Sequence, residues 1–354
     1  MSDAGLTSEN LVVIFGAGAS FDSAHDQRPA STGDISESRP PLANHLFHEA
    51  YARFIDRYRS IAPAVSRLRD AVQKRRPLEP ELRKLQEEAN TNPYRSTQVL
   101  GIRFYLRDLI EETTQRWLAA RHGVTNYAHL VDEIQHWRRA NETKRAQLSY
   151  VTFNYETLLE DALERAFGMT FPSVSRYVEQ PGAAVFKPHG SINWVHLIEP
   201  DSLYNNVTEM VRQAIRIRLR NDIISNAELN MFVDRTLAPS IPAIAIPVDQ
   251  KSAFEFPEQH LVALRHRLKA ADKFLIIGWR GTEKHFTDEL RGCIGQRRVA
   301  FHIVAANEAE AKATWQNLGI TLSTPPCSLT CSARTGFSDF ITSGELQVFL
   351  DQPL

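Results

Sequence analysis

Three short segments hold the residue types most able to do chemistry, and each follows an apolar run. Gly16-Ala17-Gly18-Ala19-Ser20 comes directly after Leu11-Val12-Val13-Ile14-Phe15. Glycines at such a place let a backbone come close to a pyrophosphate, and the start of a following helix offers amides to an anion. Asn154 closes the run 148–153 and precedes a helical pattern. Its carboxamide donates and accepts hydrogen bonds at once. His189 stands in Phe186-Lys187-Pro188-His189-Gly190. An imidazole titrates near neutrality, which suits a general base. Each feature also has a plain structural reading: a tight turn for the glycines, a helix cap for Asn154 and a packed side chain for His189. No third glycine follows Gly18 before Asp22 and Ser23, so the common dehydrogenase fingerprint is incomplete.

The elements that must position these residues alternate in type. Strand-like apolar runs cover 11–15, 148–153, 183–187, 241–246, 273–278, 299–305 and 327–331, and helical patterns cover 156–167, 257–271, 283–293 and 308–318. Strands alternating with helices predict parallel crossovers and an α/β, doubly wound parallel sheet. In such a sheet, ligands bind outside the carboxyl ends of the strands, where the glycines, Asn154 and His189 all fall. Between the first two runs lies helical spacing, with Leu46, Ala50, Phe54 and Tyr58 four apart and breakers at Pro63, Pro77, Pro80 and Pro93. Residues 46–145 hold 19 Lys and Arg against 13 Asp and Glu, the composition of a solvated helix face or of a surface for an acidic partner. Glu156, Glu160 and Asp161 read as residues that cap and solvate their own helix.

Composition narrows the function class. A formal net charge of −1 over 354 residues gives no global field to attract nucleic acid or an anionic membrane, so direct nucleic-acid binding is not expected. The 43% apolar and 23% charged content is that of a soluble globular protein. Three cysteines, Cys293, Cys327 and Cys331, form neither a disulfide framework nor a four-cysteine zinc site, and suit a reducing, cytoplasmic setting. No apolar window is long enough to span a bilayer.

Taken in order, the three segments resemble the sirtuin superfamily, whose pattern is a GAG-x-S loop, a later segment with a catalytic Asn, and an H-G segment with a catalytic His. TFNYETLLEDAL at 152–163 and KPHGSINW at 187–194 are most similar to the sirtuin-like (SIR2-like) NADase domains of bacterial antiphage defence. Ile276-Ile277-Gly278-Trp279 resembles the family's strand end near the ribose, and Ile303 to Glu308 resembles the strand whose terminal Asn, here Asn307, reaches the adenosine portion. The likeness runs from residue 11 to about 340 with gaps. It implies a Rossmann-like, discontinuous NAD-binding domain over 1–41, 146–196 and 237–354, a helical insertion or cap at 42–145, and a small helical excursion at 197–236.

The same resemblance implies that NAD is the substrate and that Asn154 and His189 are catalytic. Gly16, Ala17, Gly18, Ser20, Gly278 and Asn307 would bind the dinucleotide. Deacetylating members carry two cysteine pairs around zinc and a G-I-P-D-F-R-G stretch after the glycine loop. This chain has neither, so the implied activity is NAD hydrolysis to nicotinamide and ADP-ribose, with no metal. ADP-ribosyl transfer or non-catalytic nucleotide sensing are the alternatives. Family members are gated, and with Leu354 soon after the last core-like run the expected gate is self-assembly or a separately encoded sensor protein. The purified protein should contain no stoichiometric zinc and leave acetyl-lysine peptides unchanged; one zinc per chain by metal analysis would overturn this.

Overall fold

The computed structural model describes residues 9–31, 33, 35–140, 146–199, 204, 206–232, 239–248, 254–320, 327–331 and 336–353. Most of the polar amino-terminal segment, and the expected boundaries near 145 and 236, lie outside these residues. Among the described residues, nine strands occur in chain order: β1 (Leu11–Phe15), β2 (Leu148–Thr152), β3 (Ala183–Phe186), β4 (Gly190–Ile198), β5 (Leu219–Ser225), β6 (Ser240–Ile244), β7 (Lys273–Ile277), β8 (Val299–Val304) and β9 (Cys327–Cys331). Six of them form one sheet in the order β3-β2-β1-β7-β8-β9. Every pairing in it is parallel, with Val13 opposite Tyr150 on one side and Leu275 on the other.

All five residues of β1, β2 and β7 are buried. Continuous apolar runs suit strands covered on both faces by crossover helices, which is how a parallel sheet avoids water. Counting only its own strands, the sheet runs 3-2-1-4-5-6, the doubly wound order of the Rossmann-like α/β class. The order reverses between β1 and β7, the point at which doubly wound sheets place their ligands.

The other three strands form a separate antiparallel sheet, β5-β4-β6. This differs from two expectations. The run at 241–246 does not join the main sheet, because β6 pairs antiparallel with β4. The segment 197–236 is not simply helical: it contributes β5 between the short helices Val207–Arg212 and Asn226–Phe232. Polar positions break the periodicity of both β4 and β5, so their strand character comes from pairing with each other.

Between β1 and β2 the chain is helical, with helices Ala52–Arg57, Ala62–Gln73, Leu78–Ala89, Pro93–Arg121 and Asn126–Ala140. The long helix Pro93–Arg121 is well punctuated: Asn92 accepts from the amides of Tyr94 and Arg95, Pro93 opens the helix, and His122 and Gly123 end it with positive φ. Leu68, Leu82, Tyr105 and Leu109 form a core with Ile192, Ile244 and Ile246 of the second sheet region. Trp117, near the other end of the same long helix, joins the main-sheet core and donates to Ser23 Oγ at 2.9 Å. Many arginines of the region's surface are paired, as Arg53 and Arg116 are with Glu112. Among the described residues, no helix is long and apolar enough to cross a membrane.

A buried imidazole fastens the helix Glu258–Ala270. His260 Nε2 donates to the carbonyl of Val174 at 3.0 Å, and its ring lies edge-on to Trp194. Burial holds this side chain at a pKa of about 4 against the usual 6.5. The unfolded chain therefore takes up a proton below pH 6.5 that the folded chain refuses, and folding free energy is lost as the pH falls from there toward 4. Urea unfolding across this range should show that decline, and His260→Gln, which keeps a donor for Val174, should make it shallower; an unchanged slope would show that His260 is not a source of it.

Candidate active site

Where β1 and β7 end side by side, backbone meets backbone. Gly16 N–H donates to Ile277 O at 3.0 Å and Gly18 N–H to Gly278 O at 3.1 Å. A Cβ on Gly16 would lie 2.6 Å from Gly278 O, and one on Gly278 would lie 2.3 Å from the amide nitrogen of Ala19. Gly278 has φ +60, a conformation open to glycine at little cost. The amides of Gly16 and Gly18 are therefore both spent on the end of β7. Ala17 is exposed, and among the described residues its amide has no acceptor. The helix that follows, Ala17–Phe21, is a single short turn that buries Ser20.

Asn154 follows β2, and its amide group is held by three acceptors: Gly16 O at 2.9 Å, Ser20 Oγ at 2.8 Å and Tyr127 OH at 3.2 Å. A carbonyl can only accept, so Gly16 O fixes which end of the carboxamide is the nitrogen. Oδ1 then faces the other way, and among the described residues no donor reaches it. Asn154 is not the helix cap that local reading allowed, since Thr157 precedes the first turn of the helix Leu158–Phe167. Ser20 Oγ in turn donates to Glu156 Oε1. Burial raises the Glu156 carboxyl above the ordinary carboxylate range, with Lys187 pulling in the opposite direction.

His189 lies in the turn between β3 and β4, buried, with Nδ1 3.2 Å from Phe153 O. The carbonyl assigns the proton to Nδ1, which leaves Nε2 as the basic nitrogen of the neutral ring. The ring is edge-on to Phe153, which stacks flat on Trp279 at 4.8 Å. The two loops are tied together: Ile192 N–H donates to Tyr155 O at 3.0 Å and Ala245 N–H to His189 O at 2.9 Å. Gly190 has φ +77 and touches β6 so closely that a Cβ would fall 1.9 Å from Ala243 O. The glycine after His189 is thus required by sheet pairing, and it is that pairing which turns the chain back at the histidine.

The fold and these contacts can be set beside known proteins. The chain is similar to a solved structure described as a Sir2 homolog–NAD complex, at 15% identity over 98% of this chain and 92% of that one, with a TM-score of 0.42. It is also similar to Sir2 in complex with the inhibitor EX-527, 2′-O-acetyl-ADP-ribose and a deacetylated p53 peptide, at 12% identity, 97% and 95% coverage and a TM-score of 0.38. A third is Sir2Tm bound to a propionylated peptide, at 11% identity, 97% and 94% coverage and a TM-score of 0.39. No protein-family model matches the chain, and no curated protein does.

The remaining expected site residues are spread along the same carboxyl edge. Gly278 follows β7. Asn307 follows β8 and caps the helix Glu308–Leu318, its Oδ1 accepting from Glu310 N–H at 2.9 Å. Among the described residues, no cluster of three or more His, Cys, Asp or Glu is placed to hold a metal ion.

Sequence reading missed four buried polar residues beside Asn154 and His189: Tyr127, Glu156, Glu160 and Lys187. Glu156 and Glu160 are not solvating residues, as expected from their place near a helix start, but are buried. Lys187 Nζ donates to Glu160 Oε1 at 2.8 Å and to Glu156 O at 2.6 Å, so one fully buried ammonium joins the loops of Asn154 and His189. Tyr177 OH also donates to Glu160 Oε1, at 3.2 Å. A lysine two residues before a predicted site histidine, at the end of a buried strand, was the available signal. Removing one member of such a pair strands the other charge, so Lys187→Met should cost about 3–5 kcal/mol in urea unfolding. The double variant Lys187→Met/Glu160→Leu should recover most of it; a double variant as unstable as the single one would show that the ion pair is not what holds the loops.

Proposed function

We propose that the chain is an NAD hydrolase that cleaves the nicotinamide–ribose bond to give nicotinamide and ADP-ribose. The observation that carries this reading is the meeting of Asn154 and His189 at neighbouring strand ends beside the sheet's crossover point. Asn154 is locked through its amide nitrogen with its oxygen turned outward, and His189 is held in the tautomer that makes Nε2 the base. The resemblance of 152–163 and 187–194 to sirtuin-like NADase segments supplies the substrate.

In the proposed reaction water attacks the ribose C1′ as the C1′–nitrogen bond breaks, and the bonding pair leaves with neutral nicotinamide. Asn154 orients the water or a ribose hydroxyl through Oδ1, and His189 receives the proton that the water loses. Placing reactants in this way supplies much of the acceleration. Ala17, together with Ser20 and the close-packed Gly16 and Gly18, would line the pyrophosphate, with Gly278 near the ribose and Asn307 at the adenosine ribose. Stacked Phe153 and Trp279 form an apolar wall beside His189.

An ungated NAD hydrolase would empty its own cell. The further reading is therefore a cytoplasmic effector of a bacterial antiphage defence system, gated by homo-oligomerisation or by a separately encoded sensor protein. The helical region 42–145 is the proposed assembly or gating element, on the ground that it interrupts the sheet domain of 1–41, 146–196 and 237–354.

Incubation with NAD followed by product analysis tests the reading. Nicotinamide and free ADP-ribose should appear in equal amounts. ADP-ribose on an acceptor would replace hydrolysis by transfer, and binding without products would replace it by sensing. Asn154→Ala and His189→Ala should each lower kcat roughly a hundredfold or more, with the double variant little worse than either. Near-normal turnover in His189→Ala would sink the mechanism.

A further inference from the structure

Tyr127 belongs to the helix Asn126–Ala140, in the region read from the sequence as a helical insertion or cap. Its hydroxyl nevertheless lies 2.9 Å from Ser20 Oγ and accepts from Asn154 Nδ2 at 3.2 Å. Its ring is fully buried against Phe15 and Phe337, with centroids 4.9 and 5.6 Å away.

The hydrogen-bond inventory of this cluster closes in one way with Glu156 as acceptor. Ser20 has one proton, and it goes to Glu156 Oε1. Its two lone pairs then take Asn154 Nδ2–H and Tyr127 O–H, so the phenol must donate. Asn154 has two amide hydrogens. One goes to Gly16 O, and the other is shared between Ser20 Oγ and Tyr127 OH. Both amide hydrogens of Asn154 and the one proton of Ser20 are thus placed, while Asn154 Oδ1 is left facing away from the cluster.

The phenol is itself rigidly placed. Asn126 N–H donates to Ser23 O at 2.7 Å, while Asn126 Nδ2 donates to Asp22 O at 2.8 Å and Ser338 Oγ at 2.9 Å. These bonds anchor the start of the helix to the segment that follows the glycine loop. Burial holds the phenol well above its usual titration range, so it stays a neutral donor throughout the working pH range.

From these contacts we infer that Tyr127 is a positioning residue: its hydroxyl sets the rotation of the Asn154 carboxamide, through Ser20 and directly, and so aims Oδ1 at the substrate. The catalytic part of this rests on the hydrolase reading above; the positioning part does not. Tyr127 also makes the helical insertion a structural partner of the site, since a shift of the helix Asn126–Ala140 would move the phenol on which Asn154 turns.

Tyr127→Phe tests this while keeping the ring and its packing. The control is Tyr150→Phe on β2, a buried tyrosine whose hydroxyl has no hydrogen-bond partner among the described residues. The first readout is the side-chain amide resonance pair of Asn154 in nitrogen-15 spectra, assigned by its loss in Asn154→Asp. The second is kcat and KM for nicotinamide release. In Tyr127→Phe the Asn154 amide pair should shift and exchange with solvent about tenfold faster, kcat should fall about tenfold, and KM should stay within about threefold. Tyr150→Phe should leave all three in place, and both variants should unfold at the wild-type temperature to within a few degrees. An unmoved Asn154 amide pair in Tyr127→Phe would overturn the inference. So would a moved pair with unchanged kcat in a protein that does release nicotinamide. Wild-type protein that releases none would refute the hydrolase reading alone, and the amide pair would still decide where Tyr127 acts.

Discussion

At the crossover between β1 and β7 two stretches of backbone touch with nothing between them, and the site is built outward from that contact. Gly16 and Gly18 give their amides to Ile277 and Gly278, and neither side has room for a Cβ. A methyl group there would force apart two strands whose pairing runs through every residue of β1. Because the glycine loop is pinned, Gly16 O and Ser20 Oγ have fixed places, and the Asn154 amide can be locked onto both. Glycine thus matters here first as missing volume, and only then as a neighbour for a ligand.

The second layer is electrostatic. A lysine, two glutamates, a serine, two tyrosines and an asparagine are buried together, a costly arrangement unless the groups match one another. They do so largely through bonds that cross between loops. Ser20 comes from the glycine loop, Glu156 and Glu160 from the segment after β2, Lys187 from the end of β3, and Tyr127 from the helical insertion. Such a cluster contributes little net stability relative to an apolar core of the same shape. It does make each loop's position depend on the others, which is what an aimed carboxamide and an oriented imidazole require.

The helical insertion and the small antiparallel sheet complete the enclosure. The long helix Pro93–Arg121 reaches from the main-sheet core at Trp117 to a second core shared with β4 and β6. Arg103 on this helix meets Glu255, which also bonds His196 Nε2 at 2.7 Å. Burial by itself would raise the Glu255 carboxyl, but Arg103 and His196 outweigh it and hold the group at about 2. Glu255 N–H donates to Pro188 O, so this charged junction sits one residue from His189.

The sequence by itself determined the alternation of buried strands and helices, hence the parallel doubly wound sheet, because runs such as Leu11–Phe15 have no stable place except between two helical layers. It also put Gly16, Asn154, His189, Gly278 and Asn307 at strand ends, where such a sheet keeps its polar loops. Only the tertiary structure decided the rest. Strand β4 was illegible because its backbone partners lie more than twenty residues away in β5 and more than forty away in β6, and its polar side chains Ser191, Asn193 and His196 are met by Tyr155, Tyr177 and Glu255. Spacing could not tell that the Gly16 and Gly18 amides are spent on β7, since hydrogen-bond partners 260 residues apart leave no local trace. Glu156, Glu160 and Lys187 carry the residue types of a solvated helix and a strand end. Their burial follows from where three loops converge, and Tyr127 enters the cluster from a helix whose own periodicity records only that one of its faces is apolar.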